Sequence, residues 1–178
     1  MIDTPQLLLF VALTAVAVVW SRHAWQAGQT YGFFRFLAFE TLFLLIVKNV
    51  EWWFDDPLVL RQIISWVLLA GSAVLAVHGF YLLRAIGKAQ VNIIEGTQTV
   101  VESGAYRYIR HPLYGSLLLL AWGAFFKNVD GLSAALALGA TAFLIATARY
   151  EEEDNIGRLG AAYEDYMTRT RMFIPFIL

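Results

Sequence analysis

Five long stretches of the chain are almost free of charged residues, and their apolar residues are continuous rather than alternating. A transmembrane helix needs about 20 apolar residues to cross roughly 30 Å of hydrocarbon. Only helices and closed barrels satisfy their backbone hydrogen bonds in a bilayer, and continuous runs favour helices. The pattern therefore predicts an all-α, polytopic membrane protein with about five transmembrane helices. The stretches are residues 5–21, 36–47, 62–83, 112–126 and 131–148.

The composition agrees with a membrane protein and excludes several kinds of site. Apolar residues make up 59% of the 178 residues and charged residues 15%, against roughly a quarter charged in soluble proteins. The net charge of −1 provides no basic field for nucleic acid. The chain has no cysteine, and its three histidines have no ligand spacing. We therefore expect neither a nucleic-acid partner nor a metal site.

The distribution of lysine and arginine predicts an orientation. Ten of them lie near the first loop, the third loop and the tail, and three lie on the opposite side. Because cytoplasmic loops are enriched in these residues, we expect the N-terminus outside and the C-terminus in the cytoplasm, with a bacterial inner membrane as the location. Residues 85–111 form a connection of 27 residues without an apolar span, and long connections are often functional. We therefore divide the chain into a transmembrane scaffold, residues 1–84, and a second half, residues 85–178, in which we expect the functional residues.

The first polar cluster is the sequence SGAYRYIRHPLYG, which leads into the fourth apolar run. Pro112 suits the first turn of a helix, which places His111 beside the free backbone N–H groups at the helix start. The run from 112 to 126 covers only about 22 Å, so its start should be recessed below the membrane surface. A polar ligand is one interpretation. The other is that Arg110 and His111 are interfacial side chains among belt tyrosines.

The second cluster is the acidic sequence EEED, residues 151–154, where the fifth run leaves the membrane. Acids at the C-terminal end of a helix oppose its dipole, so local stability does not explain them. They are either a solvated face or partners for a cation or a sugar diol. Apolar residues then recur at helical spacing and predict an amphipathic helix with a break at Gly160. Those residues are Ile156, Leu159, Tyr163, Tyr166 and Met167.

Two further ionisable residues lie inside the apolar runs. Glu40 is either functional, neutral, or paired with Lys48 two turns away. His78 is expected to be a hydrogen-bonded core histidine.

The two clusters and the tail resemble the isoprenylcysteine carboxyl methyltransferase family, related to phospholipid methyltransferases. The resemblance lies in TVVESGAYRYIRHPLYGS, then ARYEEE, then LGAAYEDYMTRTRMFIPFI, and it covers about half the chain. It implies an integral-membrane enzyme that uses S-adenosylmethionine (SAM), releases S-adenosylhomocysteine and binds its cofactor on the cytoplasmic side. The implied cofactor-binding residues are Gln98, Thr99, Val100, Val101, Tyr106, His111, Pro112, Leu113, Tyr114 and Glu151.

The resemblance also implies a lipophilic methyl acceptor that arrives from the bilayer, and carboxyl O-methylation of the isoprenylcysteine type. Phospholipid N-methylation and small-thiol S-methylation are the alternatives, and a non-catalytic membrane subunit is a further one. Arg110 or Arg149 would orient an anionic acceptor, and Glu40 or Glu152 would take a proton from an amine or thiol. One departure is that the arginine with which family members grip a carboxylate acceptor is Thr147 here. Arg149 lies about 200° further around the helix and would serve only if the helix unwinds locally.

Overall fold

Six α-helices account for most of the residues described by the structure, a computed structural model that covers residues 3–87 and 99–176. Two short 3₁₀ turns, Val50–Trp52 and Gly104–Arg107, follow α2 and precede α4. The helices are α1 (Thr4–Gln26), α2 (Thr30–Asn49), α3 (Leu60–Ala85), α4 (Pro112–Phe125), α5 (Gly131–Leu159) and α6 (Ala161–Arg169).

Helices α1, α2, α3 and α5 are long and apolar enough to cross a membrane. Helix α4 has 14 residues and a length of about 21 Å, which is shorter than the hydrocarbon core. The prediction of an all-α polytopic membrane protein is confirmed, and the described residues form four long apolar helices and a shorter fifth where about five transmembrane helices were expected. The side of the membrane that each end faces stays a prediction.

Side-chain caps set the start of two of these helices. At α1, Asp3 accepts a hydrogen bond from the Gln6 backbone N–H at 2.9 Å, and the Gln6 side chain accepts one from the Asp3 N–H at 3.0 Å. This reciprocal pair satisfies two N–H groups that lack helical partners. At α5, Asp130 accepts from the Ser133 N–H at 2.8 Å in the same way.

The described chain divides into two compact units, and α3, α4 and α5 contribute residues to both. Unit 1 consists of Met1–Ala70 and Leu118–Tyr150, and unit 2 consists of Gly71–Leu117 and Glu151–Leu178. In unit 1 the small residues Ala124 and Ala137 pack with Leu45, all of them fully buried. Small residues let membrane helices approach closely, which explains this packing.

In unit 1, the side chain of Lys127, in the loop between α4 and α5, contacts aromatic and polar groups of α3. The Lys127 ammonium lies 3.4 Å from the ring centre of Trp66 and donates to Gln62 Oε1 at 2.9 Å. Aromatic faces and an amide oxygen compensate a buried cation, so this lysine stabilises the loop.

The pairing considered between Glu40 and Lys48 is wrong. The Lys48 ammonium contacts Asp130 and donates to Ser133 Oγ at 3.0 Å, because the loop carboxylate lies within its reach. Glu40 instead accepts a hydrogen bond from the Thr14 hydroxyl at 2.9 Å, which joins α2 to α1.

Unit 2 is built around the loop that precedes α4. Val101 and Tyr106 pack with Leu82 and Leu83 of α3, and Leu113 packs against them. Gly104 has a φ of +57°, which lets the loop pass close to His78. The Ala105 N–H donates to His78 Nε2 at 3.3 Å, as expected, but the histidine is exposed rather than part of the core.

The tail after α6 pairs with the residues before α4. Ile109 and Arg171 form a parallel bridge, and the N–H groups of Arg110 and His111 donate to the carbonyls of Arg171 and Met172 at 2.7 and 3.1 Å. The predicted break at Gly160 is confirmed, since α5 ends at Leu159 and Gly160 has a φ of +60°. Both features bring the C-terminal residues back to the start of α4.

Candidate active site

Unit 2 contains a cleft whose volume, together with the solvent at its mouth, is about 580 Å³. The residues that line it come from the end of α3, the loop before α4, the start of α4, the end of α5 and α6. They are Leu83, Thr99, Val100, Val101, Tyr106, Arg110, His111, Leu113, Tyr114, Glu151, Asn155, Arg158, Leu159, Tyr163 and Tyr166.

A buried ion cluster lies at one end of this group. Arg110 Nε donates to Glu152 Oε1 at 2.5 Å, and His111 Nε2 lies 3.2 Å from the same oxygen. Arg110 also donates to the carbonyl of Thr170 at 2.7 Å, which ties it to the tail. His111 and Glu152 are 5% and 6% exposed, so the cluster is withdrawn from water and joins α5 to the start of α4.

A second carboxylate faces the cleft itself. Glu151 lines the cleft and accepts a hydrogen bond from the Tyr114 hydroxyl. The Tyr114 ring stacks on His111 with the ring centres 5.5 Å apart. The site therefore combines an anionic group with aromatic faces, and both are held in place by neighbouring side chains.

Helix α6 contributes two buried tyrosines to the cleft. The Tyr166 hydroxyl donates to the carbonyl of Tyr106 at 2.6 Å, which fixes the loop wall to α6. Burial raises the pKa of Tyr106, Tyr163 and Tyr166, so all three phenols stay neutral through the physiological range. They supply neutral ring faces and hydroxyl groups.

Most of the residues expected to bind a cofactor come together at the cleft. Thr99, Val100, Val101, Tyr106, His111, Leu113, Tyr114 and Glu151 line it. Pro112 is buried instead, packed against Gly79 of α3. Gln98 lies outside the described residues.

The three residues expected to be catalytic lie in different places. Arg110 lines the cleft, whereas Glu152 lies behind it in the ion cluster. Arg149 belongs to unit 1, is exposed and is not among the lining residues. Helix α5 is continuous through this region, so the local unwinding that Arg149 requires is not observed. Thr147 is buried, and its hydroxyl donates to the carbonyl of Phe143 at 2.7 Å.

Six lining residues were not singled out as site residues in the sequence: Leu83, Asn155, Arg158, Leu159, Tyr163 and Tyr166. Helical periodicity in the sequence could have indicated three of them, since positions 155, 158 and 159 fall on the same helical face as Glu151. That signal is usable only once α5 is known to continue to Leu159.

Comparison with known protein families decides the assignment. A model of the phospholipid methyltransferase family matches residues 60–166, more than half of the chain. The chain belongs to the phospholipid methyltransferase family. The match includes α3 and α4 in full and ends at Tyr166, so it contains every segment that lines the cleft.

The individual relatives that match this chain are named for the same activity. A methanethiol S-methyltransferase of Crocosphaera subtropica is 31% identical over 156 residues, 80% of this chain and 60% of the relative. Methanethiol S-methyltransferase 2 of Bradyrhizobium diazoefficiens is 37% identical over 70 residues, 39% of this chain and 26% of the relative. The chain thus spans about a quarter to three fifths of the length of these curated relatives. No solved structure matches the chain.

Proposed function

We propose that this protein transfers a methyl group from SAM to a small thiol, with SAM bound in the cleft of unit 2. The observation that carries the proposal is the meeting of two motifs about 40 residues apart in the sequence. Tyr114, from RHPxY, donates its hydroxyl hydrogen to Glu151, from EEED, and both line the cleft. Residues 85–178 would then form the catalytic half.

The residues of the cleft suit the chemical groups of SAM. Glu151 can accept hydrogen bonds from the ribose hydroxyls, and the neutral rings of Tyr106, Tyr114 and Tyr163 favour a sulfonium cation. When bound, SAM supplies an already activated methyl group. The work left to the protein is to orient the two reactants and exclude water, which the buried tyrosines and Val101 support.

The acceptor is assigned to the thiol class for two reasons. The position that grips a carboxylate acceptor in isoprenylcysteine enzymes is Thr147, whose hydroxyl is bonded within its own helix, and Arg149 is exposed. The related proteins described above are named for methanethiol, a substrate with no carboxylate to grip. Phospholipid N-methylation is the second candidate, because the matching family model is described as phospholipid methyltransferase.

A thiol must lose its proton before or during the transfer. Neither residue first considered for this task lines the cleft: Glu152 is bonded to Arg110, and Glu40 lies in unit 1. We therefore assign no base to these two residues and expect the thiol to react as its thiolate. The rate should then rise with pH until the thiol is ionised.

The membrane orientation belongs to the same proposal. The excess of arginine and lysine on one side supports a cleft that faces the cytoplasm, where SAM is available. The membrane in this proposal is a bacterial inner membrane. A volatile or lipophilic acceptor would reach the cleft through the bilayer.

The test is an incubation of the detergent-purified protein with methyl-labelled SAM and methanethiol in a sealed vial. We expect labelled dimethyl sulfide in the headspace, a lower yield from Glu151→Gln when SAM is below saturation, and an unchanged yield from Glu153→Gln, a control at an exposed neighbouring acid. A parallel incubation contains membrane lipids instead of methanethiol. Base-stable label in lipid would replace the thiol with a phospholipid amine, base-labile label would indicate a carboxyl acceptor, and no label in either fraction would contradict methyl transfer.

A further inference from the structure

The last turns of α5 carry opposite charges on the face that lines the cleft. Glu151 and Arg158 are seven residues apart, which corresponds to a rise of about 10 Å along the helix. Asn155 lies between them on the same face. A ligand along this face therefore meets a carboxylate at one end and a guanidinium at the other.

The Arg158 side chain is oriented by its neighbours. Its Nη2 donates to Asn155 Oδ1 at 2.5 Å. Asn155 is itself 8% exposed and hydrogen-bonds the buried Tyr163, so the amide is fixed from the other side. A guanidinium has five N–H donors in a planar fork, and a bond to Asn155 is compatible with binding a carboxylate at the same group.

Arg110 and His111, next to the start of α4, already contact acceptors of the protein. Arg110 donates to Glu152 and to the carbonyls of Thr170 and Met167. His111 lies against the same Glu152 carboxylate. A ligand carboxylate placed there would compete with an anion that is already bound, and like charges repel.

We infer that Arg158 binds the carboxylate of the amino-acid part of SAM, while Glu151 lies at the opposite, ribose end. This inference rests on the proposed function. It places the ligand carboxylate at the end of α5 rather than beside the free backbone N–H groups at the start of α4. It also makes Arg158 a determinant of specificity, because ligands without the carboxylate lose its contribution.

The experiment measures, by calorimetry, how tightly two ligands bind to the wild-type protein and to matched variants. Each is the detergent-purified full chain. The ligands are S-adenosylhomocysteine and its decarboxylated analogue, which lacks only the carboxylate. Arg158→Gln removes the charge, and Arg158→Lys restores it without the planar fork. Arg171→Gln is the control, since Arg171 is an exposed arginine of unit 2 outside the cleft lining.

We expect Arg158→Gln to bind S-adenosylhomocysteine about 10- to 100-fold more weakly, as is usual for a lost charged hydrogen bond. The variant should bind the decarboxylated analogue as tightly as the wild-type protein does. Arg158→Lys should recover part of the affinity, and Arg171→Gln should match the wild type. If Arg158→Gln lowers the affinity for both ligands equally, or for neither ligand, the inference is overturned and the proposed function is left intact. A wild-type protein that binds neither ligand would contradict the proposed function itself.

Discussion

At the scale of single residues, two adjacent glutamates in the EEED run have different environments. The Glu151 side chain faces the cleft and contacts Tyr114, whereas Glu152 is buried against Arg110 and His111. Successive residues on a helix point about 100° apart, so neighbours in the sequence meet different surroundings. Glu152 therefore fixes the RHPxY loop, and under the proposed function Glu151 is the one that binds the ligand.

The two glutamates should therefore respond differently to the same substitution. Glu152→Gln leaves the buried Arg110 charge without its counter-charge and should lower the free energy of unfolding by about 3 kcal/mol. Glu151→Gln should change that free energy by less than about 1 kcal/mol while weakening S-adenosylhomocysteine binding roughly tenfold. Thermal unfolding in detergent and calorimetry measure the two effects. Equal loss of stability in both variants would refute this division of roles.

The sequence predicted many of the residues that line the cleft and less of their roles. His111 was indicated by its position at the start of a recessed helix, whereas Tyr114 and Glu151 were implied by the family resemblance of RHPxY and the acidic run. Arg158 was not identified, because an arginine in an amphipathic helix is ordinarily a solvated residue. Its significance comes from the turns of α5 that align it with Glu151 and from the fixed Asn155 beside it.

At the scale of elements, hydrophobic runs located helices α1 to α5, but their bounds agree unevenly. The run 112–126 became Pro112–Phe125, and the run 62–83 became Leu60–Ala85. The run 131–148 became Gly131–Leu159, because the helix continues through the charged residues that end the run. The parallel pairing of Ile109 with Arg171 was not predicted, since backbone bonds between segments 60 residues apart leave no periodic signal. The loop before α4 likewise depends on a contact between Gly104 and α3 that only the folded chain reveals.

Two glycines provide a matched test of this loop. A Cβ at Gly104 would overlap the His78 ring and lie 2.7 Å from Leu82 Cδ1, at a φ of +57°. Gly104→Ala should therefore destabilise the protein by roughly 2 kcal/mol. Gly157 lies within α5 with no atom within 4 Å of an added Cβ, so Gly157→Ala should stabilise it by up to about 1 kcal/mol. Melting temperatures that shift in the same direction for both variants would contradict the placement of the loop.

At the scale of the whole molecule, the distribution of arginine and lysine predicts which ends of the helices face the cytoplasm. Ser103 precedes the 3₁₀ turn Gly104–Arg107, and Asn128 lies in the connection from α4 to α5. Because the chain has no cysteine, each position can be labelled alone. In intact cells, Ser103→Cys should be protected from an impermeant maleimide and Asn128→Cys should react. The reverse pattern would invert the proposed topology and remove the cleft from the cytoplasm.

The central claim is that the cleft of unit 2 binds SAM, and direct ultraviolet crosslinking with labelled SAM tests it most directly. The aromatic residues at the cleft should take up the label, and peptide mapping should place it within residues 99–114 or 151–166. Excess S-adenosylhomocysteine should abolish the labelling. Label confined to unit 1, or label that S-adenosylhomocysteine does not displace, would contradict the account.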